Sequence, residues 1–509
     1  MKTTLKVSLF IIFLALANFY SYSQKDNTKP NVVYILTDDL GYGDVKYLNP
    51  DGKIETPQMD RLASQGMIFT DAHTSSSVCT PSRYSIITGR YNWRTNLQKG
   101  VLFGYSPPLI EENRLTVASF LQDRGYNTAC IGKWHLGMDL LFNGTIPKGR
   151  NPKEPNVDWN GIIRNGPIDR GFDTFYGISA SLDMPPYIYI EDNKFVGECE
   201  IVPYRKIRGR VVMSPKNPDF NAIDVLPEIG RKTIEYIKKQ DDKKPFFAYV
   251  AFTSPHTPIL PSKEWQGKSE LGKYGDFVMQ TDDVIGQIVS AIDEMGFGEN
   301  TIIIVTSDNG CSKAAGITEL AKKGHQVSKQ YRGSKADLWD GGHRVPFIVR
   351  WPKEVSSGSV SNEVICLTDL FSTMSDITGE KIPSGFAEDS FSFLPALKGK
   401  PLVSSRKGII HHSISGHFAY RQGKWKLLLA KGSGGWTSPT EKESVNMPKV
   451  QLYDIKNDPA EKINLYQEHP EIVKELLTEL ESEVYAGRTS KGQESKNDVN
   501  EIVLWKSEK

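Results

Sequence analysis

Four apolar runs in this chain end in polar residues fit for chemistry. Asp38-Asp39 follows Val32–Leu36, Lys133 and His135 follow Thr128–Ile131, Ser254-Pro255-His256 follows Phe246–Phe252, and Asp308-Asn309-Gly310 follows Ile302–Val305. Adjacent carboxylates repel unless something positive lies between them. Asp38, Asp39, Asp308 and Asn309 offer three carboxylates and one amide, hard oxygen donors that suit Ca2+ or Mg2+ and not a soft metal. Taken singly, the first pair reads as a helix cap and the second as a turn; the two together, with Cys79, point to a cation. Cys79-Thr80-Pro81-Ser82-Arg83 leads into a predicted helix starting near Pro81. Arg83 then lies one turn beyond the cysteine, at a helix N-terminus that favours an anion.

The elements that position these residues follow from periodicity. The four runs read as buried strands, and helical patterns lie between them. Thr56-Pro57 is an N-cap and first-turn proline ahead of Met59, Leu62 and Ala63, while Val278, Ile285, Ile288, Val289 and Ile292 recur at helical spacing. This alternation predicts an α/β fold, a large, mostly parallel central sheet with helices on both faces. Every polar set then sits at the carboxyl end of its strand, the edge where open α/β sheets bind ligands. Beyond about residue 400 the texture changes. Ile409–Ser413, Phe418–Arg421, Trp425–Ala430 and Gln451–Ile455 read as short strands and Glu471–Tyr485 as an amphipathic helix. The expected division is a catalytic domain over 24–399 and a smaller C-terminal subdomain, an antiparallel sheet with a helix, over 400–509.

Composition allows a large enzyme. With 509 residues, 39% hydrophobic and 24% charged, the chain can bury a sizeable core. A net charge of +1 steers it toward neither nucleic acid nor an anionic membrane. Met1–Gln24 has the three-part layout of a secretory signal: Lys2 and Lys6, an apolar stretch Val7–Ala17, and Ser21-Tyr22-Ser23. Cleavage after Ser23 and export, to the periplasm or the medium, are expected, and no later segment is apolar enough to span a bilayer. Five cysteines are too few for a disulfide framework; Cys130 and Cys366, in apolar runs, read as buried thiols.

Several strings carry a family resemblance. Cys-x-Pro-x-Arg at 79–83 continues as Ser-x-x-x-Ile-x-x-Gly-Arg to Arg90. Gly132-Lys133-Trp134-His135-Leu136-Gly137, Arg332-Gly333-Ser334-Lys335, Asp308-Asn309-Gly310 and, near the end, Lys424-Trp425-Lys426-Leu427 join it. From about Asn31 to Ile455 the chain resembles the formylglycine-dependent sulfatases of the alkaline phosphatase superfamily. The resemblance implies that a maturation enzyme oxidises Cys79 to formylglycine, whose hydrate attacks sulfur. It implies that Asp38, Asp39, Asp308, Asn309 and the modified Cys79 hold one divalent cation, usually calcium. It further implies that Lys133 and Lys335 contact the sulfate or the formylglycine, and that Arg83 stabilises the site. His135 would take a proton from the hydrate, and His256 with Lys335 would assist departure of the alcohol.

The expected substrate is a sulfated saccharide, with a 6-sulfated galactose or N-acetylgalactosamine unit as the specific expectation. Asp183, in Ser181-Leu182-Asp183-Met184-Pro185-Pro186-Tyr187, and His343 are the candidate substrate-binding residues. His73, His325, His411, His412 and His417 fit a pocket or a structural role equally well. Two other functions remain at this point: a phosphonate monoester or phosphodiester hydrolase of the same superfamily, and a secreted glycan-binding protein with a silent site.

Overall fold

The computed structural model describes residues 29–150, 156–207, 210–402 and 406–506; the expected signal segment lies outside the described residues. In chain order the strands are β1 (Asn31–Asp38), β2 (Met67–Phe69), β3 (Ala72–His73), β4 (Asn127–Lys133), β5 (Thr174–Ile178), β6 (Ile190–Glu191), β7 (Lys194–Phe195), β8 (Glu200–Ile207), β9 (Arg210–Lys216), β10 (Phe246–Pro255), β11 (Thr301–Ser307), β12 (Phe347–Arg350), β13 (Ser359–Ser361), β14 (Ile365–Cys366), β15 (Ile409–His412), β16 (Phe418–Gln422), β17 (Trp425–Leu428) and β18 (Gln451–Asp454). Ten of them form one sheet in the order β13-β2-β12-β11-β1-β10-β4-β5-β6-β7. Its centre, β11-β1-β10-β4-β5, is parallel, and β12 and β6 run against it. The expected mostly parallel, doubly covered sheet is present.

Why the central strands read as continuous apolar runs is clear from which way their side chains face. Val32, Tyr34 and Leu36 of β1, with Phe247, Tyr249 and Ala251 of β10, enter one core. Val33 and Ile35, with Phe246, Ala248, Val250 and Phe252, enter the other. A strand covered on both faces has no polar side to show. Helices Cys79–Thr88, Val117–Gln122 and Leu370–Thr378 close the first face, and Pro57–Gln65, Val225–Lys238 and Lys273–Glu294 the second. Met59, Leu62, Ala63, Val278, Ile285, Ile288, Val289 and Ile292, the helical-spacing residues, are all buried against it. No helix among the described residues is long and apolar enough to cross a membrane.

Between Leu397 and Ile409 the chain passes to a four-stranded antiparallel sheet, β15-β16-β17-β18. Leu476, Leu480 and Val484 of helix Pro470–Tyr485 pack on Ile410, Phe418 and Leu427 of that sheet, in one cluster with Tyr91 and Trp93 from just beyond the Cys79 helix. The small sheet also braces the turn that leads into Cys79: His412 O accepts Ser77 N at 3.1 Å and Ser76 Oγ at 2.8 Å.

Candidate active site

Parallel register brings the acidic pairs together. Thr37 of β1 lies opposite Ser307 of β11, so Asp38-Asp39 and Asp308-Asn309 leave the sheet side by side. On the other flank Leu36 pairs with Ala251 and Ala251 with Gly132, which aligns the ends of β10 and β4 with the same edge. Asp39 adopts φ 67 and His135 φ 56, left-handed backbone that turns each chain sharply as it leaves its strand. Asp39 N donates to Asp308 Oδ1 at 3.3 Å, and Leu40 N to Ser307 Oγ at 3.0 Å, fixing the first turn. Gly310 is obligatory for the second: a Cβ there would sit 1.9 Å from Gly341 O.

A ring of cations closes on these acids. Lys133 Nζ lies 2.6 Å from Asp38 Oδ2, Lys335 Nζ 2.5 Å from Asp39 Oδ1, and Arg83 Nε 2.9 Å from Asp308 Oδ2. All six side chains are buried. Burial alone would raise the Asp38 carboxyl, but Lys133, His256, Arg83 and Lys335 hold it well below the usual carboxylate range. Asp308 is pushed up to about 6 by burial and then by the charge of Asp38, against Arg83 and Lys133. Cys79, at the first turn of helix Cys79–Thr88, is buried, and burial raises its thiol pKa against the opposing charges of Lys133 and Lys335.

Three oxygens in this cluster are buried without any hydrogen-bond partner: Asp38 Oδ1, Asp39 Oδ2 and Asn309 Oδ1. Asn309 Nδ2 donates to Asp39 Oδ1 at 2.7 Å, which leaves the amide oxygen free. Orphaned buried carboxylate and amide oxygens are costly unless a cation takes them, and Asp38, Asp39 and His256 offer donor atoms within 4.8 Å of one another. The donor set fits a hard dication.

The histidines divide sharply. His135 Nε2 donates to Leu102 O at 2.9 Å, so the lone pair falls on Nδ1, buried and unpartnered. Burial first, then Lys133 and Arg83, lowers its pKa well below the ordinary value and keeps the ring neutral. His256 is held at Nδ1 by Thr257 O at 2.6 Å and Ser181 Oγ at 3.3 Å, with Nε2 3.8 Å from Asp39 Oδ2. Ser181 also accepts from Lys133 Nζ at 3.3 Å. Sequence reasoning passed over that hydroxyl in favour of Asp183, two residues on, and missed Leu102 altogether because a backbone carbonyl leaves no mark in residue type. Asp183 pairs with Arg150 and keeps Oδ1 buried and unpartnered.

His343 requires correction. It is 0% exposed, with Nδ1 against His73 Nδ1 at 3.0 Å and Nε2 against Leu338 O at 3.0 Å and Lys426 Nζ at 3.1 Å. Its ring stacks on His411 at 3.6 Å. Closed in on every side, it has no face for a sugar. The Arg83 guanidinium holds Asp308 and Lys133 O and so positions the acids.

Comparison with known proteins identifies the family. The Sulfatase family model matches residues 30–380, and that of the N-sulphoglucosamine sulphohydrolase C-terminal region matches 334–488. The chain belongs to the sulfatase family and is an enzyme that hydrolyses carbohydrate sulfate esters. It is 33% identical over 500 residues to an N-acetylgalactosamine-6-O-sulfatase of Bacteroides thetaiotaomicron, covering 90% of this chain and 94% of that protein. To the N-acetylgalactosamine-6-sulfatase of Mus musculus it is 27% identical over 505 residues, 93% and 89% of the two chains. A solved structure described under metabolism of multiple glycosaminoglycans by Bacteroides thetaiotaomicron superposes with a TM-score of 0.78 at 32% identity, covering 89% of this chain and 99% of that one.

Proposed function

We propose that this sulfatase, exported to the periplasm or the medium, removes the 6-sulfate of an N-acetylgalactosamine or galactose unit in a sulfated glycan. Cys79 is matured to formylglycine by a dedicated enzyme, and Ca2+, or Mg2+ in its place, is held by Asp38, Asp39, Asp308, Asn309 and residue 79. The observation that carries the chemistry is the set of three orphaned oxygens, Asp38 Oδ1, Asp39 Oδ2 and Asn309 Oδ1, enclosed by Lys133 and Lys335. Asp38, Asp39 and Asp308 face Arg83, Lys133 and Lys335, so the cluster is near neutral as it stands. A dication makes it positive by two charges, and the single negative charge of a sulfate monoester offsets one of them. The names of the relatives support the choice of sugar.

When bound, the dication supplies Lewis-acid polarisation, and the formylglycine hydrate supplies the hydroxyl that attacks sulfur. The chain's own residues do the rest. Lys133 and Lys335 present ammonium groups to the sulfate oxygens. His135 Nδ1 accepts a proton, since Leu102 O ties up the opposite nitrogen. His256, oriented through Nδ1 by Thr257 and Ser181, directs Nε2 at the pocket to protonate the departing alcohol. A buried thiol with a raised pKa is a poor nucleophile, which supports conversion of Cys79 over its use as a thiolate.

Peptide mass spectrometry across Cys79, with sulfate release from 6- and 4-sulfated N-acetylgalactosamine and turnover of an aryl phosphodiester, tests this reading. We expect an aldehyde at residue 79 and preference for the 6-sulfate. An unmodified thiol in a fully active sample, or preference for the phosphodiester, overturns it.

A further inference from the structure

A cleft of about 840 Å³ opens in the C-terminal subdomain, away from the acidic pocket, and Lys431, Lys442, Lys449 and Lys506 line it. Glu441, the acid in its wall, accepts three backbone N–H groups: Oε1 accepts Gly432 N at 2.8 Å and Gly434 N at 3.2 Å, and Oε2 accepts Lys431 N at 3.1 Å. Lys506 Nζ donates to the carbonyl of Val503 at 2.8 Å. Lys442 and Lys449 are exposed, and no ion pair among the described residues involves either. Burial and then the charge of Lys99 lower the pKa of Lys506. Trp505, 40% exposed, and Val445, 62% exposed, add apolar surface to the same wall. Ammonium groups around an accessible indole match an anionic sugar, whose ring has an apolar face and whose substituents carry charge.

The cleft and the catalytic pocket are joined by a short run of chain. His417, in the cleft wall, accepts Ser413 N through its backbone oxygen at 3.0 Å, and Ile414 N donates to Ala336 O, next to Lys335. A Cβ on Gly416 would lie 3.1 Å from Lys506 Cε and 2.6 Å from Gln98 O. From there Lys99, exposed, leads to Leu102, whose carbonyl holds His135 and whose N–H donates to Thr80 Oγ1 at 3.2 Å. At ~3.8 Å per residue, Lys99 and Leu102 are at most ~11 Å apart along the chain. A short oligosaccharide spans that.

We propose that the cleft is a second binding site for sulfated glycan, taking anionic sugars of the same chain whose 6-sulfate enters the catalytic pocket. This rests on the sulfatase reading for its substrate and makes the enzyme prefer oligosaccharides to single sugars.

The test uses the full-length enzyme, wild type, the double variant Lys442→Ala/Lys449→Ala and Trp505→Ala. Substrates are 6-sulfated N-acetylgalactosamine and a tetrasaccharide in which it alternates with a uronic acid. We expect the monosaccharide to react equally well in all three. For the tetrasaccharide, KM should rise about tenfold in the double variant at unchanged kcat, two solvent-exposed ion pairs being lost, and added salt should erase the difference. Equal effects on both substrates, or none on the tetrasaccharide, overturn the proposal. If neither saccharide is desulfated, the catalytic reading fails by itself. Calorimetric binding of the tetrasaccharide then decides the cleft: weaker binding to the double variant supports it, and equal binding, or displacement by an unsulfated DNA oligonucleotide at equal concentration, overturns it.

Discussion

Cation and sulfate should bind cooperatively, because the site is built near electrical balance. Asp38, Asp39 and Asp308 are each matched by Lys133, Lys335 or Arg83 at 2.5–2.9 Å. Adding a dication leaves two unmatched positive charges in a buried space, a cost that an incoming sulfate removes. At about 4 Å and an effective dielectric of about 20, a unit charge pair interacts by about 4 kcal/mol. Relaxation and residual water reduce this to the range usual for coupled sites, about 1–3 kcal/mol, or roughly 5–150-fold in affinity. The assay is calorimetric titration of Ca2+ into chelator-stripped protein, with and without saturating inorganic sulfate, and the converse titration of sulfate. We expect sulfate to tighten Ca2+ binding at least about tenfold and Ca2+ to tighten sulfate binding by the same factor, since linkage is reciprocal. Ca2+ affinity indifferent to sulfate would refute the charge-balance reasoning even if the enzyme were active, and Ca2+ affinity lowered by sulfate would place the two elsewhere.

Replacing Cys79 by Ser leaves one attacking hydroxyl and removes the second that a hydrate provides, so turnover should fall to background, with sulfate retained on the serine by intact-protein mass spectrometry; wild-type turnover refutes the mechanism. Gly310→Ala would drive a methyl to within 1.9 Å of Gly341 O; we expect a loss of about 1–3 kcal/mol in denaturant unfolding and weakened Ca2+ binding, because Asn309 must move with it. Glu483, whose Oε2 is buried without a hydrogen-bond partner, is raised to about 8 by burial and then by Asp389. A carboxyl with a raised folded pKa favours folding while protonated, so stability is highest below the ordinary glutamate range and declines as pH rises through about 8, by up to about 1.4 kcal/mol per pH unit. Glu483→Gln should flatten that decline in unfolding curves taken between pH 5 and 8.5, and an unchanged slope counts against the shift.

What was legible in the sequence depended on how few innocent uses a residue pattern has. Val32–Leu36 and Phe246–Phe252 announced buried strands because only a doubly covered sheet needs both faces apolar. Asp38-Asp39 and Asp308-Asn309 marked one shared acidic site because two acid-rich strand ends in parallel register must leave the sheet side by side, and the orphaned oxygens lie in that site. Residue type alone could not say which hydroxyl or carbonyl would meet a histidine. Ser181 reaches His256 across 75 positions and Leu102 O reaches His135 across 33, distances set by how loops fold over the sheet edge. The error over His343 has the same origin. Beside Gly341-Gly342 and Arg344 it read as part of a loop near the substrate, yet β3, β15 and β17 enclose it through His73, His411 and Lys426. Enclosure depends on what a distant segment brings, and here the last hundred residues bring it. The same C-terminal sheet holds the turn before Cys79 through His412 O. A substitution that loosens β15 should therefore disturb catalysis at a distance, by moving residue 79 and leaving Asp38, Asp39, Asp308 and Asn309 in place.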